Sequence, residues 1–238
     1  MTEPLFLTEP YTQETTATVT AITPEGGVVL DRSIFYPQGG GQPGDTGNIG
    51  WDDRDMAVIN TIKGEGGAIV LEIEPGAPLP DTGQVVTTRL DWDRRFKHMR
   101  VHTGLHLLSV VIPLPVTGGA ITALKGRLDF NMPDALENKE ALDAQLNELI
   151  ARDLPISESW ITDDELAANP GLVKTMSVKP PTGAGSVRLI RIGEGDAQVD
   201  LQPCGGTHVA RTGEIGKVTL GKVEKKGAQN RRVNMLLA

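Results

Sequence analysis

Three of the four histidines in the chain, His98, His102 and His106, stand four residues apart, and the fourth, His208, follows the only cysteine, Cys204, by four. On a helix, side chains at i and i+4 sit about 5–6 Å apart at Cβ, which lets two imidazoles converge on one metal at bonds of about 2.0–2.1 Å. In Pro203-Cys204-Gly205-Gly206-Thr207-His208, two consecutive residues without Cβ let a loop turn a thiolate and an imidazole toward one point. Two histidines with a Cys-His pair make a mixed nitrogen and sulfur site suited to zinc. His98 is set apart, because three helical ligands spread over two turns reach one ion poorly; it is expected at the surface or behind a ligand. Each pair alone has an ordinary alternative, and a lone cysteine commonly serves as a small hydrophobe. What favours the metal site is the combination of both pairs in one chain.

Zinc held mainly by imidazoles is a stronger Lewis acid than zinc held by two or more thiolates, able to polarise an ester carbonyl or lower the pKa of a bound water. In His102-Thr103-Gly104-Leu105-His106 no glutamate follows the first histidine, which counts against a metallopeptidase. Ester hydrolysis asks less of such a site than amide hydrolysis.

The elements that must position these groups divide the chain in two. Over His98 to Ile112, Val101, Leu105, Leu108 and Ile112 recur at helical spacing, and Pro113 and Pro115 end the helix. A second helix is predicted from about Asp134 to Asp153, and Thr162 with Glu165 makes a capping box for a short third one. Strands predicted over Val187 to Ile192, Ala197 to Leu201, Lys217 to Val223 and Arg231 to Leu236 complete an α+β domain of residues 88–238, an antiparallel sheet with helices on one face. Residues 1–87 read as a small β-barrel-like domain. Its β-branched runs, Thr16 to Ile22, Gly27 to Leu30, Met56 to Lys63 and Ala68 to Ile73, are separated by Gly, Pro and Asp. Gly39, Gly40 and Gly41 form a tight turn in this reading; no Lys-Ser or Lys-Thr follows to make a phosphate loop.

A net charge of −8 disfavours a general nucleic-acid binder, whose affinity comes from neutralising phosphates. RNA contact must then be local, and the candidate is Lys217, Lys222, Lys225, Lys226, Arg231 and Arg232, crowded against Glu224 alone. The alternative is a solvated strand-turn-strand edge. A single cysteine excludes an intrachain disulfide, and the absence of a leader or of 18 consecutive apolar residues makes the cytosol the expected location.

The segment Arg100-Val101-His102-Thr103-Gly104-Leu105-His106-Leu107-Leu108, with Cys204-Gly205-Gly206-Thr207-His208-Val209, closely resembles the editing domain of alanyl-tRNA synthetases and their free-standing relatives, the AlaX proteins. Phe35 to Gly47 is similar to the glycine-rich motif of the medium-length AlaX proteins, and Gly213 to Gly216 and the tail Lys225 to Val233 also follow the family pattern. The resemblance covers essentially the whole chain. It implies a Zn2+ site of His102, His106, Cys204 and His208 in a hydrolase that removes serine, and more weakly glycine, from tRNA(Ala). With no room for an aminoacylation domain, the editing is expected in trans. Thr103 is expected to hydrogen-bond the substrate and Gln42 to reach the pocket from the glycine-rich loop. Gly104 stands where the family usually has alanine, a change expected to loosen the helix or enlarge the pocket. The competing readings are a zinc-stabilised tRNA-binding module without catalysis, editing of Ser-tRNA(Thr), and a metal-dependent hydrolase of small esters or amides that uses no RNA.

Overall fold

The computed structural model describes residues 1–134, 136, 138–176 and 185–238. The chain forms two compact units, Met1–Phe96 and Lys97–Ala238. In the first, six strands close a barrel: β1 (Glu14–Ile22), β2 (Val28–Leu30), β3 (Gly47–Trp51), β4 (Arg54–Lys63), β5 (Ile69–Ile73) and β6 (Val85–Leu90). Their order around the barrel is β1-β2-β5-β4-β3-β6, and every pairing is antiparallel. Alternate residues fill the interior, among them Val19, Leu30, Ile49, Val58, Leu71 and Val86. Strand β3 lies outside the sequence expectation because its glycines depress strand propensity. Gly47 is needed nonetheless, since a Cβ there would lie 2.0 Å from the carbonyl oxygen of Arg89 on β6.

The glycine-rich segment makes the expected tight turn. Gly39 and Gln42 exchange backbone hydrogen bonds of 3.1 and 2.9 Å, and the two residues between them, Gly40 and Gly41, have φ of 56° and 84°. Two consecutive positive φ values define a turn open to glycine at little cost. The segment is tied down by Asp45, whose carboxylate accepts the N–H of Tyr36 at 2.6 Å and pairs with Arg95; both charged side chains are fully buried.

Helix α1 (Trp92–Val111) begins six residues before the predicted start, because the Asp91 carboxylate accepts the N–H of Arg94 at 3.1 Å and caps the first turn. The second unit has a four-stranded and a three-stranded sheet. The first contains β7 (Val116–Ile121), β8 (Lys125–Asn131), β12 (Val218–Lys225) and β13 (Asn230–Leu237) in the order β12-β13-β8-β7. The second runs β9 (Ile156–Thr162), β10 (Ser186–Ile192), β11 (Asp200–Pro203). All of these pairs are antiparallel, and the class is α+β, as expected.

Helix α1 packs on the four-stranded sheet through glycines from both sides. A Cβ on Gly126 of β8 would lie 2.6 Å from Val101 Cγ1, and one on Gly104 would lie 2.6 Å from Met235 Cε. Helix α2 (Lys139–Ala151), capped by the Asn138 side chain on the N–H of Ala141 at 2.9 Å, covers the outer edge of β12. Asn147 donates to the carbonyl of Val218 and accepts its N–H, both at 3.0 Å, and Asp143 accepts the N–H of Leu220 at 2.5 Å. Side chains thus satisfy backbone groups that a free edge would offer to another strand. The expected start near Asp134 adjoins positions 135 and 137, which lie outside the described residues. Helix α3 (Asp163–Ala168) has the predicted capping box, with Glu165 N–H on Thr162 Oγ1 at 3.1 Å and Thr162 N–H on Glu165 Oε2 at 2.7 Å. Among the described residues no helix is long and apolar enough to cross a membrane.

Candidate metal centre

Helix α1 carries His102 and His106 one turn apart, both buried, with ring centroids 5.2 Å from each other. The Cys204 loop comes to them from the end of β11, and it is held there by an arginine. Arg188, on β10, donates to the carbonyl oxygens of Gly206 at 2.9 Å and Cys204 at 3.3 Å, while its Nε pairs with Glu158 of β9 at 2.6 Å. The carbonyl of Arg188 in turn accepts the N–H of Cys204 at 3.1 Å. So restrained, Cys204 Sγ lies 3.4 Å from His102 Nε2 and 3.3 Å from His208 Nε2.

The ligand atoms of His102, His106, Cys204 and His208 all lie within 4.8 Å of one another. Around one tetrahedral zinc with bonds of about 2.0–2.3 Å, neighbouring ligand atoms are about 3.3–3.7 Å apart. The two sulfur to nitrogen distances have that spacing, and the donor set, three imidazoles and one thiolate, is one that zinc prefers. The four residues therefore fit the ion that the sequence implied.

Each of two candidate ligands has a partner on its far nitrogen. Thr103 donates its hydroxyl proton to the Met99 carbonyl at 2.9 Å, and its oxygen accepts the N–H of Val209 at 3.3 Å and lies 3.1 Å from His208 Nδ1. With the proton gone to Met99, Thr103 can only accept from His208, which places the imidazole proton on Nδ1 and leaves Nε2 as the ligand nitrogen. His106 Nδ1 faces Asp200 Oδ2 at 3.0 Å in the same manner. Gln202 donates to that oxygen at 2.8 Å, and Lys174 Nζ binds Oδ1 at 2.5 Å.

The electrostatics follow from this wiring. Burial alone would raise the Cys204 thiol, but the imidazoles of His102 and His208 hold it well below the ordinary value, as a metal-binding thiolate requires. His208 is pushed down to about 3 by burial and by its neighbour His102, so its imidazole is neutral. Burial pulls His106 down too, yet its hydrogen bonds to Asp200 and Cys204 and the charges of both together outweigh it and carry the group up to about 9. Asp200 is driven the other way, to about 2, because His106 and Lys174 overcome the effect of burial.

The structure places the remaining sequence candidates differently from one another. Thr103 lies in the cluster with all its hydrogen-bonding capacity engaged inside the protein. Gln42 is buried in the first unit, where its backbone closes the glycine turn. His98 is 1 % exposed, which excludes the first of its two expected places, the surface, and leaves the one behind a ligand. Gly104 is corrected as well: the space left by its missing Cβ is taken by Met235 and Ile215, and so belongs to the core. In the basic stretch, Arg232 pairs with Asp129 and Lys226 with Glu224, while Arg231 donates to the carbonyls of Pro133 and Asp134. Asp200, Gln202, Lys174 and Arg188 escaped the sequence reading. The signal for the first two was present in Asp200-Leu201-Gln202, whose period of two puts both side chains on one face of β11, next to Cys204.

Comparison with known proteins locates this arrangement. Residues 187–234 match the family described as Threonyl and Alanyl tRNA synthetase second additional domain, and residues 6–94 match tRNA synthetases class II (A). Alanyl-tRNA editing protein AlaX-M of Saccharolobus solfataricus is 35 % identical over 98 % of this chain and 98 % of its own length. AlaX-M of Methanosarcina barkeri is 34 % identical over 100 % and 99 %. An alanine–tRNA ligase of Caldivirga maquilingensis is 33 % identical over 94 % of this chain, which corresponds to 25 % of the ligase.

Proposed function

Because this chain belongs to the AlaX family of free-standing alanyl-tRNA editing proteins, we propose that it is a zinc-dependent deacylase that removes serine from Ser-tRNA(Ala) in trans, with glycine a weaker substrate. The carrying observation is the cluster of His102, His106, Cys204 and His208, gathered from one helix and one loop into a single set of ligand atoms. Zinc bound there supplies a Lewis acid for the ester carbonyl or a water of lowered pKa. The chain's own residues prepare the place: Thr103 sets the ligand nitrogen of His208, Asp200 that of His106, and Arg188 fixes the loop.

Selectivity has a physical basis. A site that hydrogen-bonds the serine hydroxyl leaves its buried polar groups unpaired when alanine enters, and sites of that kind reject the analogue by about 10⁴–10⁵. In this reading Thr103 contributes through His208, and Gln42 is assigned to substrate binding by the resemblance of its glycine-rich segment. Lys217, Lys222, Lys225, Lys226, Arg231 and Arg232 make up the proposed RNA contact, and the four lysines are exposed. The cytosol, where charged tRNA is used, is the location this function implies.

The test is release of labelled serine from Ser-tRNA(Ala), beside Gly-tRNA(Ala) and Ala-tRNA(Ala), by wild type and by a folded Cys204→Ala/His208→Ala variant, with zinc content measured in both. Rapid serine release with alanine spared, and its loss in the variant, supports the proposal. Folded, zinc-loaded wild type that leaves Ser-tRNA(Ala) intact overturns it, and deserylation of Ser-tRNA(Thr) alone would transfer the activity to the threonyl substrate.

A further inference from the structure

Behind the four ligands stands a carboxylate that the reaction does not need as a ligand. Asp200 is 2 % exposed, and each of its oxygens is committed: Oδ2 to His106 Nδ1 at 3.0 Å and Gln202 at 2.8 Å, Oδ1 to Lys174 at 2.5 Å. The lysine is anchored in its turn. Its carbonyl accepts the N–H of Val116 at the start of β7 at 3.0 Å, and its ammonium lies 3.5 Å from Ser109 Oγ on α1. The Ser109 hydroxyl donates to the carbonyl of His106 at 2.7 Å, so the lysine and the histidine are linked through the helix as well as through the carboxylate. Helix α1, strand β11 and the Lys174 segment thus meet at one side chain.

An imidazole offers a metal either nitrogen, and a ring free to turn about χ2 presents both. A carboxylate on Nδ1–H removes that freedom and leaves Nε2 as the donor. We propose that Asp200 is a positioning residue of the metal centre, fixing the ring and tautomer of His106, and that Gln202 and Lys174 hold Asp200 in register. The inference rests on the zinc reading of the cluster. It assigns to Asp200 a part in metal affinity and ligand geometry, with no contact to substrate.

The measurement uses the full chain as wild type, Asp200→Asn and Lys174→Met, each checked for folding by circular dichroism. Zinc affinity is read by competition with a chromogenic chelator, and ligand geometry by the visible absorption of the cobalt(II) form. Asp200→Asn is expected to bind zinc about 10–100-fold more weakly, the usual effect of removing such a partner, and to shift the cobalt bands. Lys174→Met is expected to move both readouts the same way by a smaller factor. A residue that only stabilised the fold would lower the unfolding midpoint and leave the cobalt spectrum of the folded protein unchanged. Wild-type affinity and spectrum in the folded variants overturn the inference while leaving the zinc site standing. Should Asp200→Asn fail to fold, Lys174→Met decides by the same two readouts. Wild type that binds neither metal refutes the zinc reading itself, a distinguishable result.

Discussion

Thr103 shows how much of the site is settled by one atom. Its oxygen gives its proton to Met99 and receives Val209 N–H and His208 Nδ1, so a valine in its place keeps the shape and removes every one of these bonds. Two buried donors would lose their acceptor, at about 1–3 kcal/mol each where no water replaces it. Thr103→Val is therefore expected to lower the free energy of unfolding in urea by at least about 1 kcal/mol, and Thr103→Ser to restore most of it. A valine variant as stable as wild type would remove this role from the hydroxyl. The contrast with the ligands is instructive. Four-residue spacing brings His102 and His106 together, as it does Cys204 and His208, and the cluster of the four, which could hold a metal ion, could be read from the sequence. Thr103 could be noticed but not understood, because its partners Val209 and His208 become neighbours only when the loop has docked. Gly104 misled for the same reason: a vacancy on a helix looks like pocket space until Met235 is seen to fill it.

Among the elements, the pair of strands β8 and β13 gives one residue of the basic stretch, Arg232, a structural partner. Asp129 stands opposite Arg232 in the register and two residues from Arg127 on the same face, and it binds both, at 2.8 Å to Arg232 Nε and at 2.5 Å to Arg127. Burial would raise the Asp129 carboxyl, but Arg232 and Arg127 outweigh it and hold the group below its ordinary 3.8. A folded pKa below the unfolded one adds stability that is fully present above the unfolded value and is lost as pH falls through the folded value. Asp129→Asn should accordingly cost about 1–3 kcal/mol at neutral pH, with the difference from wild type narrowing once the pH drops under 3.8. Urea denaturation at the two pH values would check this, and a gap that stayed constant would count against the ion pairs as its source. Elements with a strong period were legible: the core stripe of α1, the capping box of α3, most long strands. Strands rich in glycine were not. Gly47 and Gly50 in β3, and Gly118 and Gly119 in β7, lower intrinsic strand preference, and pairing with β6 and β8 overrides it. The strand expected at Ala197 begins instead at Asp200, after a turn at Gly195–Ala197, and that shift brings Asp200 and Gln202 under His106.

For the molecule as a whole, the distance along the chain between the donors matters as much as their distance in space. Zinc bound to the folded state and not to the unfolded chain should raise the thermal midpoint in proportion to the logarithm of free metal, with about 2.7 kcal/mol gained at a hundredfold excess over the dissociation constant. Differential scanning calorimetry with and without a chelator measures this directly, and a midpoint indifferent to metal would mean that the ion adds nothing to folding. His102 and Cys204 are 102 positions apart. An ion joining them closes a loop of that size, and in the chain-entropy picture a covalent link across about 100 residues restricts the unfolded ensemble by about 4–5 kcal/mol. A protein with one cysteine has no disulfide of its own with which to make such a link. Zinc would thus act as its removable cross-link, one whose closure answers to metal supply.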